Sequence, residues 1–279
     1  MTLSPSATIA FPRRAAGTAD FDLTIVVPAY NEMARLPKTL DGLDAWAAAQ
    51  PFSVEIIVVD DGSRDATAAA AAAHRCGCGV IRLTHNGGKG AAVRTGILQA
   101  KGSVIGFTDA DLPYRLDAVE RAYETIASGA ADVVYGGRDL ATSTMTVRRT
   151  AVRSFASRCF RAIAGRLVSG SVTDTQCGLK LFERGAAREI FSRVHTDGFA
   201  FDAEAILVAE RLALRAERVP VVLVNEAGST VSLRRHAASM LRDVVKARLR
   251  HARQAGTPSA AVPQHDVLRV AVPPRRRAA

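Results

Sequence analysis

Five short apolar runs, each closed by polar or glycine-containing residues, punctuate the first half of the chain: Leu23–Val27, Val54–Val59, Val80–Leu83, Val104–Phe107 and Ala131–Tyr135. The runs are continuous instead of alternating, which predicts strands covered on both faces. Between them the apolar period changes to that of a helix. Leu36, Leu40, Leu43 and Trp46 mark one helix over about 33–49, and an alanine-rich stretch near 68–73 marks a second. Helices are also predicted from Asn86–Gly90 through Lys101 and over about 116–128. Strand and helix thus alternate four times before a fifth strand. The pattern predicts an α/β fold, a mostly parallel central sheet with helices on both faces in the Rossmann-like manner.

Each of the first four strands ends in residues fit for chemistry: Pro28-Ala-Tyr-Asn-Glu32, Asp60-Asp-Gly-Ser63, Asn86-Gly-Gly-Lys-Gly90 and Asp109-Ala-Asp111. Open parallel sheets bind ligands beyond the carboxyl ends of their strands, so Glu32, Asp60, Lys89 and the Asp109/Asp111 pair are expected to converge on one cleft. Residues two apart on an extended segment point the same way, so Asp109 and Asp111 project together. Their repulsion is relieved by a hard divalent cation, which takes one or two carboxylates plus phosphate oxygens. The plainer reading of the pair is a solvated turn at a strand end, just as Pro28 and Gly62 can serve only to shape turns and Asn86 to cap a helix. Neither G-x-G-x-x-G nor G-x-x-x-x-G-K-[ST] follows the first strand, which argues against Rossmann dehydrogenases and P-loop NTPases.

Taken in order, these motifs resemble family 2 glycosyltransferases of the type A fold. Asp174-Thr-Gln-Cys-Gly-Leu-Lys180 and Gly198-Phe-Ala-Phe-Asp-Ala-Glu204 further resemble segments of the dolichyl-phosphate β-glucosyltransferases and polyprenyl-phosphate mannosyltransferases. The resemblance implies an inverting, metal-dependent hexosyltransferase using Mg2+ or Mn2+, with UDP-glucose or GDP-mannose as donor and a polyprenyl or dolichyl phosphate as acceptor. Pro28, Tyr30, Glu32, Asp60, Asp61, Lys89 and Asp109-Ala110-Asp111 are then the nucleotide-sugar residues, with Asp60 reading the base edge and Asp109 and Asp111 holding ribose and the metal-bridged diphosphate. Arg138 and Lys180 join the two aspartates as catalytic candidates. Arg138, Arg149 and Arg153 are the acceptor-phosphate candidates, while Gln176, Asp202 and Glu204 are further cleft candidates. Some relatives carry a metal-binding Gln two residues past the second Asp; here that position is Pro113.

Charge separates the two halves. Residues 1–140 hold 13 Lys/Arg against 16 Asp/Glu, and residues 141–279 hold 24 against 11, within a net charge of +10. Two basic amphipathic helices are predicted, over 147–168 with six arginines and over 233–253. Both suit an anionic membrane interface, although a solvated basic face has the same pattern. An acceptor that is already an anionic phosphate needs cations more than a base, whereas a hydroxyl acceptor needs a carboxylate such as Asp202 or Glu204. Nucleic-acid binding by the basic half is disfavoured because stacking aromatics do not alternate with the cations, and aromatic content is only 5%.

The four cysteines have neither zinc nor C-x-x-C spacing, as expected of unpaired thiols in a reducing cytosol. No signal peptide and no transmembrane helix is recognised, which predicts a cytoplasmic protein peripheral to the inner membrane face. The expected organisation is a disordered segment over 1–20, a catalytic domain over 21–232, a basic helix over 233–253 and a disordered basic tail over 254–279.

Overall fold

The computed structural model describes residues 20–137, 140, 177–224, 233–253 and 267–270. The predicted alternation is present as β1 (Phe21–Ala29), α1 (Leu36–Ala48), β2 (Val54–Asp60), α2 (Thr67–Ala72), β3 (Gly79–Leu83), α3 (Lys89–Gln99), β4 (Gly102–Phe107), α4 (Asp117–Ala127) and β5 (Val133–Gly137). Beyond it lie β6 (Lys180–Glu183), α5 (Arg184–Phe191), α6 (Phe201–Arg211), β7 (Ala216–Pro220), α7 (Leu233–Arg253) and β8 (Val267–Val270).

One eight-stranded sheet runs in the order β7-β5-β6-β4-β1-β2-β3-β8. Parallel pairing joins β1 to β2 and β4, β2 to β3, and β5 to β7. Strand β6 runs antiparallel between β4 and β5, and β8 runs antiparallel along β3. The central strands divide their side chains between two cores. From β1, Val26 faces the layer of α3, α5, α6 and α7, while Ile25 and Val27 face that of α1, α2 and α4. Burial on both faces explains the unbroken apolar runs. Helix α7 contributes Met240 and Val244 to the first core, so its inner side is part of the domain.

Strand β8 places residues 267–270, within the tail expected to be disordered over 254–279, in the sheet. Val267-Leu-Arg-Val270 is a four-residue β-prone run, and the surrounding prolines and arginines had masked it in the composition. The basic helix expected over 147–168 lies outside the described residues. Cys76, Cys78 and Cys177 are buried, and among the described residues none of them is in a disulfide.

Candidate active site

The loops leaving β1 to β4 form a single cleft of about 440 Å³, lined by Pro28, Tyr30, Glu32, Asp61, Lys89 and Asp109–Asp111 together with Gly198 and Phe199. The first two loops are stapled together. Asn31, in the left-handed region at φ 54°, donates its N–H to Ser63 Oγ at 2.9 Å, and its Oδ1 accepts the Arg64 N–H at 2.9 Å. Asn tolerates that backbone better than most residues. Glu32 donates its N–H to Thr67 Oγ1 at 2.8 Å, and its carboxylate takes a forked pair from Arg35 at 2.7 and 2.8 Å.

The two adjacent aspartates of the second loop part ways. Asp61 lines the cleft, where it accepts the Gly87 and Gly88 N–H groups at 2.7 and 2.9 Å. Asp60, expected to read a base edge, is instead wholly buried, its Oδ2 3.2 Å from Arg82 Nε and its Oδ1 accepting the Ser63 N–H. Successive residues of an extended segment face opposite ways, so only one of the pair can look into the cleft.

Lys89 opens α3 and reaches Asp109 Oδ1 at 2.5 Å. Burial opposes its charge, but Asp109, Asp202 and Asp111 outweigh that and hold the ammonium above its ordinary value. For Asp111, burial and then the Asp109 charge raise the carboxyl group, while Arg35 and Lys89 pull the other way. Two glycines make the arrangement possible. A Cβ on Gly178 would lie 2.4 Å from Asp109 Oδ2, and one on Gly90 would lie 2.3 Å from the Thr196 carbonyl oxygen. Gly88 adds a φ of +99° and a Cβ position 2.5 Å from the Asp197 carbonyl, so the Gly-Lys-Gly segment and the 195–199 loop touch backbone to backbone.

Under the cleft lies a buried pair, Lys180 Nζ to Asp202 Oδ1 at 3.0 Å. Lys180 also donates to the Cys177 carbonyl at 2.7 Å and sits 5.7 Å from the Phe107 ring centre. Burial raises the Asp202 carboxyl group, against the pull of Lys180 and Lys89. Glu204, expected in the cleft, is instead buried behind the 195–199 loop, because it lies on the inner side of α6, a helix buried along nearly its whole length. Arg138, Arg149, Arg153 and Gln176 lie outside the described residues. Sequence reasoning passed over Arg94, buried to 2% and bound to Asp197 at 2.6 Å, and the loop residue Phe199. The first carried no signal beyond a lone arginine in a helix; the second sits inside a motif already quoted.

The profile of glycosyl transferase family 2 matches residues 24–191. A dolichyl-phosphate beta-glucosyltransferase of Drosophila melanogaster is 35% identical over 240 residues, covering 81% of this chain and 73% of its own length. The Homo sapiens protein of the same description is 32% identical over 244 residues, covering 82% and 75%. Among solved structures, glucosyl-3-phosphoglycerate synthase from Mycobacterium tuberculosis with Mn2+, UDP and glucosyl-3-phosphoglycerate gives a TM-score of 0.61 at 19% identity, covering 90% of this chain and 88% of that one. Mannosyl-3-phosphoglycerate synthase from Rubrobacter xylanophilus gives 0.62 at 17%, covering 91% and 87%. These two bear on the fold alone. The chain belongs to glycosyl transferase family 2. It is a glycosyltransferase built on an α/β sheet of the type A kind, as its motif series implied.

Proposed function

We propose that this enzyme moves glucose, with inversion, from UDP-glucose to a polyprenyl phosphate of the dolichyl type. The activity named for its relatives supports glucose over mannose, and the UDP-glucose bound by a glucosyl-3-phosphoglycerate synthase of similar fold supports UDP-glucose as the donor. The observation that carries the acceptor is the state of Asp202. It acts on Lys89 after Asp109, and it is paired with Lys180. A phosphate oxygen is already anionic and attacks the sugar carbon without giving up a proton, so this site needs no base there.

The donor set fits a divalent cation. Asp109 and Asp111 supply hard oxygens to one cleft, where burial first and the Asp109 charge second hold the Asp111 carboxyl group above its ordinary value. Among the described residues no cluster of three or more His, Cys, Asp or Glu can hold a metal alone, so diphosphate oxygens would complete the coordination. When bound, such a cation neutralises the charge that develops on the leaving diphosphate. Lys89 adds a second positive charge on the same side. Arg138, Arg149 and Arg153 are proposed to take the acceptor phosphate, a charge-assisted contact suited to arginine.

No helix among the described residues is long and apolar enough to cross a membrane. Helix α7 turns Val245 and Leu249 outward between the exposed cations Arg242, Lys246 and Arg248. We propose that this face seats on anionic lipid. The test supplies UDP-glucose labelled in the sugar, with Mg2+ or Mn2+, and either a polyprenyl phosphate in anionic vesicles or a soluble phosphorylated acceptor. Label in the lipid phase is the expected result. Label only in the soluble acceptor, or transfer only from GDP-mannose, would overturn the reading.

A further inference from the structure

Glu204 binds two separate pieces of the protein with its two oxygens. Oε2 accepts the backbone N–H groups of His195 at 3.1 Å and Thr196 at 2.7 Å. Oε1 takes His251 Nε2 at 2.8 Å and Arg250 Nη1 at 3.0 Å, both from the last turn of α7. The carboxylate is fully buried, yet those hydrogen bonds outweigh burial and hold it near a pKa of about 2, charged throughout the working range. On its other side the 195–199 loop is pinned to α3: the Asp197 carbonyl accepts the Gly90 N–H at 2.7 Å, and the Asp197 carboxylate holds Arg94. The loop then delivers Gly198 and Phe199 to the cleft that Lys89 also lines.

We propose that Glu204, His251 and Arg250 form a clamp through which α7 sets the position of the cleft loop, so that Glu204 and His251 are positioning residues for glucosyl transfer. Neither touches the cleft. A hydrogen-bonded, fully desolvated charge transmits displacement stiffly, because every partner it loses leaves a buried group unpaired. Motion of α7 by a fraction of an ångström therefore reaches Phe199 through one carboxylate and three residues of backbone. The backbone contact at Gly88 and Gly90 leaves the loop little room to absorb it. A misplacement of about 1 Å in a reacting assembly costs on the order of a hundredfold in rate.

The test follows Phe199→Trp fluorescence in a Trp46→Phe background, alongside acceptor kinetics and thermal stability of the full chain. His251→Ala is expected to shift the emission and lower kcat by about tenfold or more. His251→Gln, which restores a donor near the same place, should recover both. Ile126→Ala removes buried side chain from the opposite core, on neither α7 nor the loop, and should lower stability while leaving emission and kcat close to the parent. Arg250→Gln, at a partly exposed position, gives a milder change of the same sign and serves if His251→Ala does not fold. Equal kinetics and emission in clamp and Ile126 variants of matched stability would overturn the proposal, as would silence from Arg250→Gln when His251→Ala fails to fold. The kinetic arm rests on the proposed glucosyl transfer. The fluorescence arm does not, so loss of one reading leaves the other testable.

Discussion

Gly90→Ala probes the closest approach in the site. Its missing Cβ would stand 2.3 Å from the Thr196 carbonyl oxygen, 2.7 Å from Phe201 Cβ and 2.9 Å from the Asp197 carbonyl oxygen. Real Cβ atoms keep roughly 3.4 Å or more from such neighbours, so the loop must retreat by about 1 Å or α3 must tilt. Two effects on stability oppose each other. Alanine gains about 1 kcal/mol over glycine within a helix, and overpacking against backbone costs about 1–3 kcal/mol. Position 90 lies in the first turn of α3, where the propensity gain is smallest, so a net loss of about 1–2 kcal/mol is expected. The kinetic loss should be larger, because the loop forced back carries Phe199 off the cleft wall, with about a hundredfold lower kcat expected. Thermal unfolding and steady-state transfer on the same preparation measure both. A variant more stable than the parent with unchanged kcat would refute the claim that loop and helix are locked together.

Asp111→Asn should abolish transfer while preserving the melting temperature, and wild-type turnover with unchanged metal dependence would sink its assignment. Asp202→Asn strands Lys180, which has no solvent exposure, and should cost about 3–5 kcal/mol, with much of it recovered in Asp202→Leu/Lys180→Met. An Asp202→Asn protein of full stability that binds both substrates but fails in the chemical step would restore a hydroxyl acceptor. Glu204 is lowered from 4.5 to about 2, so its charge contributes on the order of 3 kcal/mol, fully present above the unfolded value and lost as pH falls toward the folded one. Urea unfolding of the parent and of Glu204→Gln should therefore converge as pH drops from about 5 to about 2; a constant gap would mean the carboxylate is not the source.

The first five strands and the cleft residues at their ends were legible because burial on both faces forces unbroken apolar runs, and a cleft beyond strand ends forces polar residues just after them. The later strands escaped notice for physical reasons. Strand β6 is only four residues long and begins with Lys180, a lysine that is tolerable in a sheet interior because Asp202 and the Cys177 carbonyl meet it. Strand β7 reads Ala-Glu-Arg-Val-Pro, polar because it lies at a sheet edge. Within the site, the Asp60-Asp61 pair announced an acidic strand end but not which member faced the ligand side, since that depends on where pleating stops. Glu204 looked like a cleft acid because its motif neighbours are cleft residues. Its side-chain partners, His251 and Arg250, stand more than forty residues away in sequence, and no local pattern could supply them.

Strand β8 has a bearing on how molecules of this protein meet one another. It occupies the outer side of β3, pairing Val80 with Val270 through to Leu83 with Val267. At the opposite border β7 defends itself with charged residues and a terminal proline. Strand β3, in contrast, is largely apolar: Gly-Val-Ile-Arg-Leu. A chain shortened after Arg253 would keep the cleft residues and α7 but bare that hydrophobic border, whose open N–H and C=O groups recruit a strand from any neighbour. Shortened forms should therefore associate through β3 at concentrations where the full chain stays dispersed, which light scattering would read.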